Sequence, residues 1–149
     1  MVLYFRRMAH EAHLQLLSLY ENIELVERVL GELCGAAKVD DELTYWVGMA
    51  VREALANAIK HGNKLNPDKL VHVEILLDDE QLVVTVEDEG EGFDPERVAD
   101  PTAPPNLLRS SGRGVFYMRQ FMDDVVFSPG DRGGTRIRLT KSLKARRNE

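Results

Sequence analysis

Glu53, Asn57 and His61 recur every four residues in the segment EALANAIKHGN (53–63), so a helix would place a carboxylate, an amide and an imidazole on one slowly turning face. A carboxylate so placed can receive a proton, and an amide oxygen is a hard, uncharged ligand suited to Mg²⁺. Two later segments add to the set. VEDEGEGFD (86–94) sets Asp88 at the end of an apolar run beside Gly90 and Gly92, where missing β-carbons let a ligand approach the backbone. SGRGVFYM (111–118) sets Gly112 and Gly114 around Arg113 at the start of a helical pattern, where exposed amides and the positive dipole end favour phosphate. Proton acceptor, metal ligand and phosphate cradle are the parts that phosphoryl transfer requires. Taken singly each has a plainer use: a solvated helix face for Glu53 and Asn57, an Asp-Glu-Gly turn for Asp88. Arg113 could face phosphate or solvent equally well.

The elements that must position these residues follow from periodicity. His13 to Ser18 alternates weakly and allows a first strand, and Ile23, Val26, Leu30 and Leu33 fall at helical spacing within Glu21 to Leu33. Asp40 or Asp41 can cap a second helix, whose apolar stripe (Leu43, Val47, Ala50, Ala54, Leu55, Ala58) ends near Gly62. After a turn over 63–69, Val71, Val73 and Ile75, then Leu82, Val84 and Val86, form a hairpin joined at 78–81. The second strand of that hairpin delivers Asp88. Pro95, Pro101, Pro104 and Pro105 exclude a continuous helix between Asp94 and Ser111, which reads as a cover over the site, a lid at 94–111. Gly114 opens a third helix carrying Val115, Met118, Phe121 and Met122. Strands at 125–127 and 135–139 then flank a turn at 128–134. Helices on one side of a mixed, mostly antiparallel sheet, an α+β two-layer sandwich, is the expected assembly.

Composition bounds the function. The chain has 149 residues, 44% of them hydrophobic, which fits one domain spanning 1–149. A net charge of −6 argues against direct nucleic-acid binding, which needs a basic footprint. The basic tail at 141–149 reads as a solvated terminus. The single cysteine, Cys34, lies in an apolar helical stretch, reads as core, and fits a reduced, cytoplasmic compartment. No segment approaches the length of a membrane span.

The three boxes, in this order from about Leu16 to Leu139, resemble the ATP-binding domain shared by gyrase, Hsp90, histidine kinases and MutL (the GHKL, or Bergerat, fold). Within it, GRGVFYMRQFMDDV (112–125) and the short lid are most similar to the small anti-sigma-factor serine/threonine kinases. The resemblance implies ATP and Mg²⁺ as cofactors, with Glu53 as general base, Asn57 as metal ligand, and Asp88 accepting a hydrogen bond from the adenine amino group. Gly90, Gly92, Gly112, Arg113 and Gly114 would line the nucleotide, and Gly134 and Thr135 match a position near the adenine. It implies a sigma factor as one partner and a STAS-domain anti-anti-sigma protein as phosphorylation substrate, with a possible homodimer through the first strand and helix. His61, at a helix end, is read as packing locally rather than as catalytic. Two alternatives stay open. One is an ATP-binding interaction module with little or no transfer. The other is a stand-alone histidine kinase catalytic domain; His10 in Ala9-His10-Glu11 is faintly similar to a phosphoacceptor box, but the following proline and room for paired dimerisation helices are missing.

Overall fold

A computed structural model describes residues 9–92 and 113–143. The expected lid at 94–111, Gly112 and most of the basic tail lie outside the described residues. Strand β1 (His10–Leu17) leads into helix α1 (Glu21–Ala36) and helix α2 (Asp41–Asn57). Asp40 caps α2 by accepting a hydrogen bond from the Glu42 amide at 3.0 Å, while Asp41 and Glu42 place negative charge at the positive end of the helix dipole. The expected apolar stripe, Leu43, Val47, Ala50, Ala54, Leu55 and Ala58, is buried, and Val51, outside that reading, faces the core with it.

Beyond Asn57 the chain does not simply continue as an α-helix. Ala58–Gly62 is a π-helical turn, in which the Asn63 amide donates to the Ala58 carbonyl at 2.8 Å and the coil is wider than an α-turn. Apolar periodicity carries no sign of this widening. Lys64 and Leu65 then take left-handed backbone conformations, φ 53° and 60°, and turn the chain back toward the sheet.

Strands β2 (Leu70–Leu77) and β3 (Gln81–Glu87) form the expected hairpin. Asp78 closes it by accepting from the amides of Glu80 and Gln81 at 2.7 and 2.9 Å. Helix α3 (Arg113–Phe121) precedes β4 (Asp124–Pro129) and β5 (Thr135–Ser142). The sheet order is β1-β2-β3-β5-β4 and every pairing among the described strands is antiparallel, narrower than the mixed sheet expected. β1 begins at His10, earlier than expected, because Ala12, Leu14 and Leu16 turn to the core while Glu11, His13 and Gln15 point away from it.

One core joins the three helices to one face of the sheet, through Val26, Leu30, Val47, Leu55, Ile75, Val84, Met118 and Leu139. Cys34 is fully buried there, as its setting suggested, and burial raises its thiol pKa. The only tryptophan, Trp46 on α2, lies 4.8 Å ring to ring from Phe121 on α3, and Phe121 stacks in turn on Tyr117. These aromatics tie α3 to α2, and that seating fixes where the glycine opening α3 can lie.

Candidate functional site

The end of α2, its π-helical turn, the end of β3 and the start of β5 converge around one cavity. Its wall is made by Asn57, Ala58, His61, Gly62, Asp88, Gly92, Val115, Phe127, Thr135 and Ile137. Three of the expected site residues thus meet Asn57 there: Asp88, Gly92 and Thr135. Asp88, only 4% exposed, sits just past β3, and its Oδ1 accepts from the Gly90 amide at 2.9 Å and the Thr135 amide at 3.2 Å. One carboxylate oxygen is therefore held by two backbone donors, which fixes the plane of the other.

Close approach explains the glycines around this carboxylate. A β-carbon at Gly62 would lie 2.3 Å from Asp88 Oδ2, and one at Gly134 would lie 2.1 Å from the Asp88 carbonyl oxygen. One at Gly90 would meet the Gly62 carbonyl oxygen at 2.1 Å. At Gly90 and Gly134 no side chain fits without backbone movement, and at Gly62 one would displace the Asp88 carboxylate itself.

Glu53 and Asn57 are half-buried on α2, one turn apart. Gly114 connects them to the third box: a β-carbon there would come within 2.9 Å of Glu53 Oε2 and 3.4 Å of the Asn57 amide. The start of α3 thus lies against the Glu53 carboxylate, where the helix dipole favours negative charge. Arg113 enters as the first residue of α3.

Burial pushes the Asp88 carboxyl pKa up, and the neighbouring Glu87 charge adds to this, while the Gly90 and Thr135 amides and Lys69 pull it back. Between the ordinary aspartate value, about 3.9, and the raised one, the folded protein keeps a proton that the unfolded chain has released. Stability contributed at this position therefore falls as pH rises through that window. The difference in unfolding free energy between wild type and Asp88→Asn, followed from about pH 4 to pH 7, is expected to tilt in favour of the variant as pH rises. A flat difference would show that Asp88 ionises as freely in the fold as in the unfolded chain.

Some of the cavity was not foreseen. Gly62 reads in sequence as a helix-end glycine, and Val115, Phe127 and Ile137 as positions on the third helix and the last two strands; these three pack on the core and also line the cavity, since its apolar wall is the edge of the core. His61 also lines the wall, and partial desolvation there together with the Lys60 charge lowers its imidazole pKa. The residue stays exposed to solvent while lining that wall. Behind Asp88, the flanking Glu87 accepts from the Asp131 amide at 2.7 Å and pairs with Arg136 at 3.1 Å, bracing the end of β3 from the far side.

The family model for the histidine kinase-like ATPase domain matches residues 16–141. The chain belongs to the histidine kinase-like ATPase family. Among curated relatives, it is similar to the anti-sigma F factor of Bacillus velezensis, 38% identical over 142 residues, covering 91% of this chain and 94% of that one. It is 37% identical to the anti-sigma F factor of Bacillus subtilis with the same coverage. The anti-sigma F factor of Heyndrickxia coagulans is 42% identical over 113 residues, 72% of this chain and 76% of that one. Among solved structures, the histidine kinase domain of the Erythrobacter litoralis EL346 blue-light activated histidine kinase aligns with a TM-score of 0.54 at 20% identity, over 83% of this chain and 63% of that one. That likeness is one of fold. The α+β sandwich read from the sequence is therefore the fold of this ATPase family, and within it the boxes on α2, β3 and α3 fall around one cavity.

Proposed function

We propose that this ATPase-family domain is an ATP-dependent protein-serine kinase that acts as an anti-sigma factor. It would hold a sigma factor inactive and phosphorylate a serine on a STAS-type anti-anti-sigma protein. The observation that carries the catalytic part is the contact at Gly114, which brings the start of α3 against Glu53 and Asn57 at one end of a cavity whose other wall holds Asp88. The regulatory part is supported by similarity to anti-sigma F factors over nearly the full length of both chains.

In this reading the adenine amino group donates to the Asp88 oxygen left free by the backbone donors, against the apolar wall of Val115, Phe127 and Ile137. Gly92 and Thr135 line that end, and Gly90 and Gly134 give Asp88 the room to sit there. Arg113 and Gly114, at the α3 start, serve the phosphates with backbone amides and the dipole, and Gly112, which precedes them in sequence, would add to this. Among the described residues no group of three or more His, Cys, Asp or Glu is placed to hold a metal. That fits Mg²⁺, which keeps most of its waters and takes phosphate oxygens plus one or two protein oxygens, here the Asn57 amide oxygen. Bound Mg²⁺ would neutralise charge on the phosphates. Glu53 takes the proton from the attacking serine hydroxyl as the phosphoryl group transfers. The new phosphate adds negative charge to the partner and weakens its hold on the kinase.

The test is to incubate the purified protein with labelled ATP, Mg²⁺ and candidate STAS-domain proteins, with and without a sigma factor. Acid-stable label on a partner serine is the expected product, and Asn57→Ala is expected to lose most of the Mg²⁺-dependent rate. Stable partner binding with no label transferred would instead assign a non-catalytic ATP-binding module. Acid-labile label would assign histidine chemistry.

A further inference from the structure

We infer that Asn63, the last residue of the first box and one given no role in the site above, is the positioning residue that holds the Asp88 loop in its binding geometry before nucleotide arrives. The inference rests on the reading of Asp88 as the base-recognising carboxylate.

Asn63 follows the π-helical turn directly and is 1% exposed. Its side-chain oxygen accepts from the Glu89 amide at 2.8 Å, the residue next to Asp88. Its side-chain nitrogen donates to Ser18 Oγ at 2.7 Å and to the Leu70 carbonyl at 3.0 Å. Two of these bonds, to Ser18 and Glu89, span 45 and 26 residues, and the third reaches Leu70 seven residues on, so one amide joins the exit of β1, the entry of β2 and the exit of β3. The junction is doubled from the other side. Glu89 accepts from the Leu70 amide at 2.9 Å and from His72 Nε2 at 2.7 Å, so Leu70 is bound through its carbonyl by Asn63 and through its amide by Glu89. Ser18 Oγ, in turn, donates to the Lys69 carbonyl.

The consequence for Asp88 is geometric. Gly62 touches the Asp88 carboxylate while its neighbour Asn63 grips the next backbone amide, so the pair Gly62–Asn63 holds the pair Asp88–Glu89 at two consecutive points. With Glu89 anchored, the Asp88 carboxylate can rotate only as far as its bonds to Gly90 and Thr135 allow. A carboxylate held this way loses little freedom when a ligand donor meets it, which strengthens binding without any new contact. Asn63 touches neither nucleotide nor the reacting atoms; it acts through Glu89 and Asp88.

The experiment compares Asn63→Ala, Asn63→Asp, Ser18→Ala and Asp88→Ala in the full-length protein, by ATP calorimetry, transfer kinetics and thermal melting. Asn63→Ala is expected to raise the Kd and KM for ATP about tenfold, the worth of one well-made hydrogen bond, with kcat within about twofold. Asn63→Asp keeps an oxygen for the Glu89 amide and is expected to restore ATP affinity to within about threefold of wild type while still melting lower. Ser18→Ala removes the other end of the junction and is expected to lower stability with ATP affinity unchanged. Equal loss of affinity in Ser18→Ala and Asn63→Ala would reduce Asn63 to a structural residue and overturn the inference. So would wild-type affinity in Asn63→Ala alongside lost affinity in Asp88→Ala. Unchanged affinity in Asp88→Ala would overturn the nucleotide reading itself, and the positioning role with it. Should Asn63→Ala not fold, hydrogen exchange on the wild type decides: Glu89 is expected to be protected before ATP is added, and free exchange of that amide in the ligand-free protein would refute the clamp.

Discussion

Glu53→Gln is expected to leave ATP affinity within about twofold of wild type while cutting serine phosphorylation about 10²- to 10⁴-fold. Glutamine keeps the shape and the helix propensity of glutamate and removes only the capacity to take a proton. Glu53 stands on the second turn back from the end of α2, against Gly114 at the start of α3 and away from the cavity wall where Asp88 lies. The two functions therefore separate: losing the proton acceptor should slow transfer without weakening the hold on the base. Single-turnover transfer with pre-bound ATP, set beside calorimetry, measures the split. If both affinity and rate fall together, Glu53 is part of the phosphate-binding surface; if neither changes, another group takes the proton.

Gly134→Ala is expected to destabilise the protein by about 3 kcal/mol, lowering the melting temperature by about 10 °C, and to abolish measurable ATP binding. The added methyl group would sit 2.1 Å from the Asp88 carbonyl oxygen and 2.4 Å from Asp88 Oδ1. Relief requires moving the backbone of the very residue that Thr135 and Gly90 hold in place. Its neighbour Gly133 is a different case, for there the left-handed φ of 87° makes the demand and the space nearby is open. Thermal melting and ATP calorimetry on Gly134→Ala decide the matter: a variant that melts and binds like wild type would mean that β5 can draw back from Asp88 at no cost.

Period and caps made most of this fold readable. Asp40 or Asp41 before an apolar stripe marked the start of α2, which Asp40 caps; alternation at Val71, Val73 and Ile75 against Leu82, Val84 and Val86 marked the hairpin, and Asp88 follows its second strand directly. The π-helical turn escaped because Ala58 and Ile59 are apolar in either kind of coil; what distinguishes it is that Gly62 must reach Asp88, a contact between residues 26 apart in the chain. Asn63 escaped for the same reason. In sequence it is an ordinary turn asparagine, and its meaning comes from Ser18, Leu70 and Glu89, none of which announces itself to a reader of one chain. The three boxes were legible because their chemistry is unusual in combination. The surfaces between them are built of common residues whose partners only folding reveals.

The tilted ring contact between α2 and α3 has a practical consequence. With one indole in the whole chain, and that indole resting on Phe121 of the helix whose first turn abuts Glu53, the tryptophan emission of the native protein, excited selectively over its tyrosines, comes from a single place at the α2–α3 seam. The molecule thus carries its own optical gauge of how α3 is seated, readable without a dye or a label.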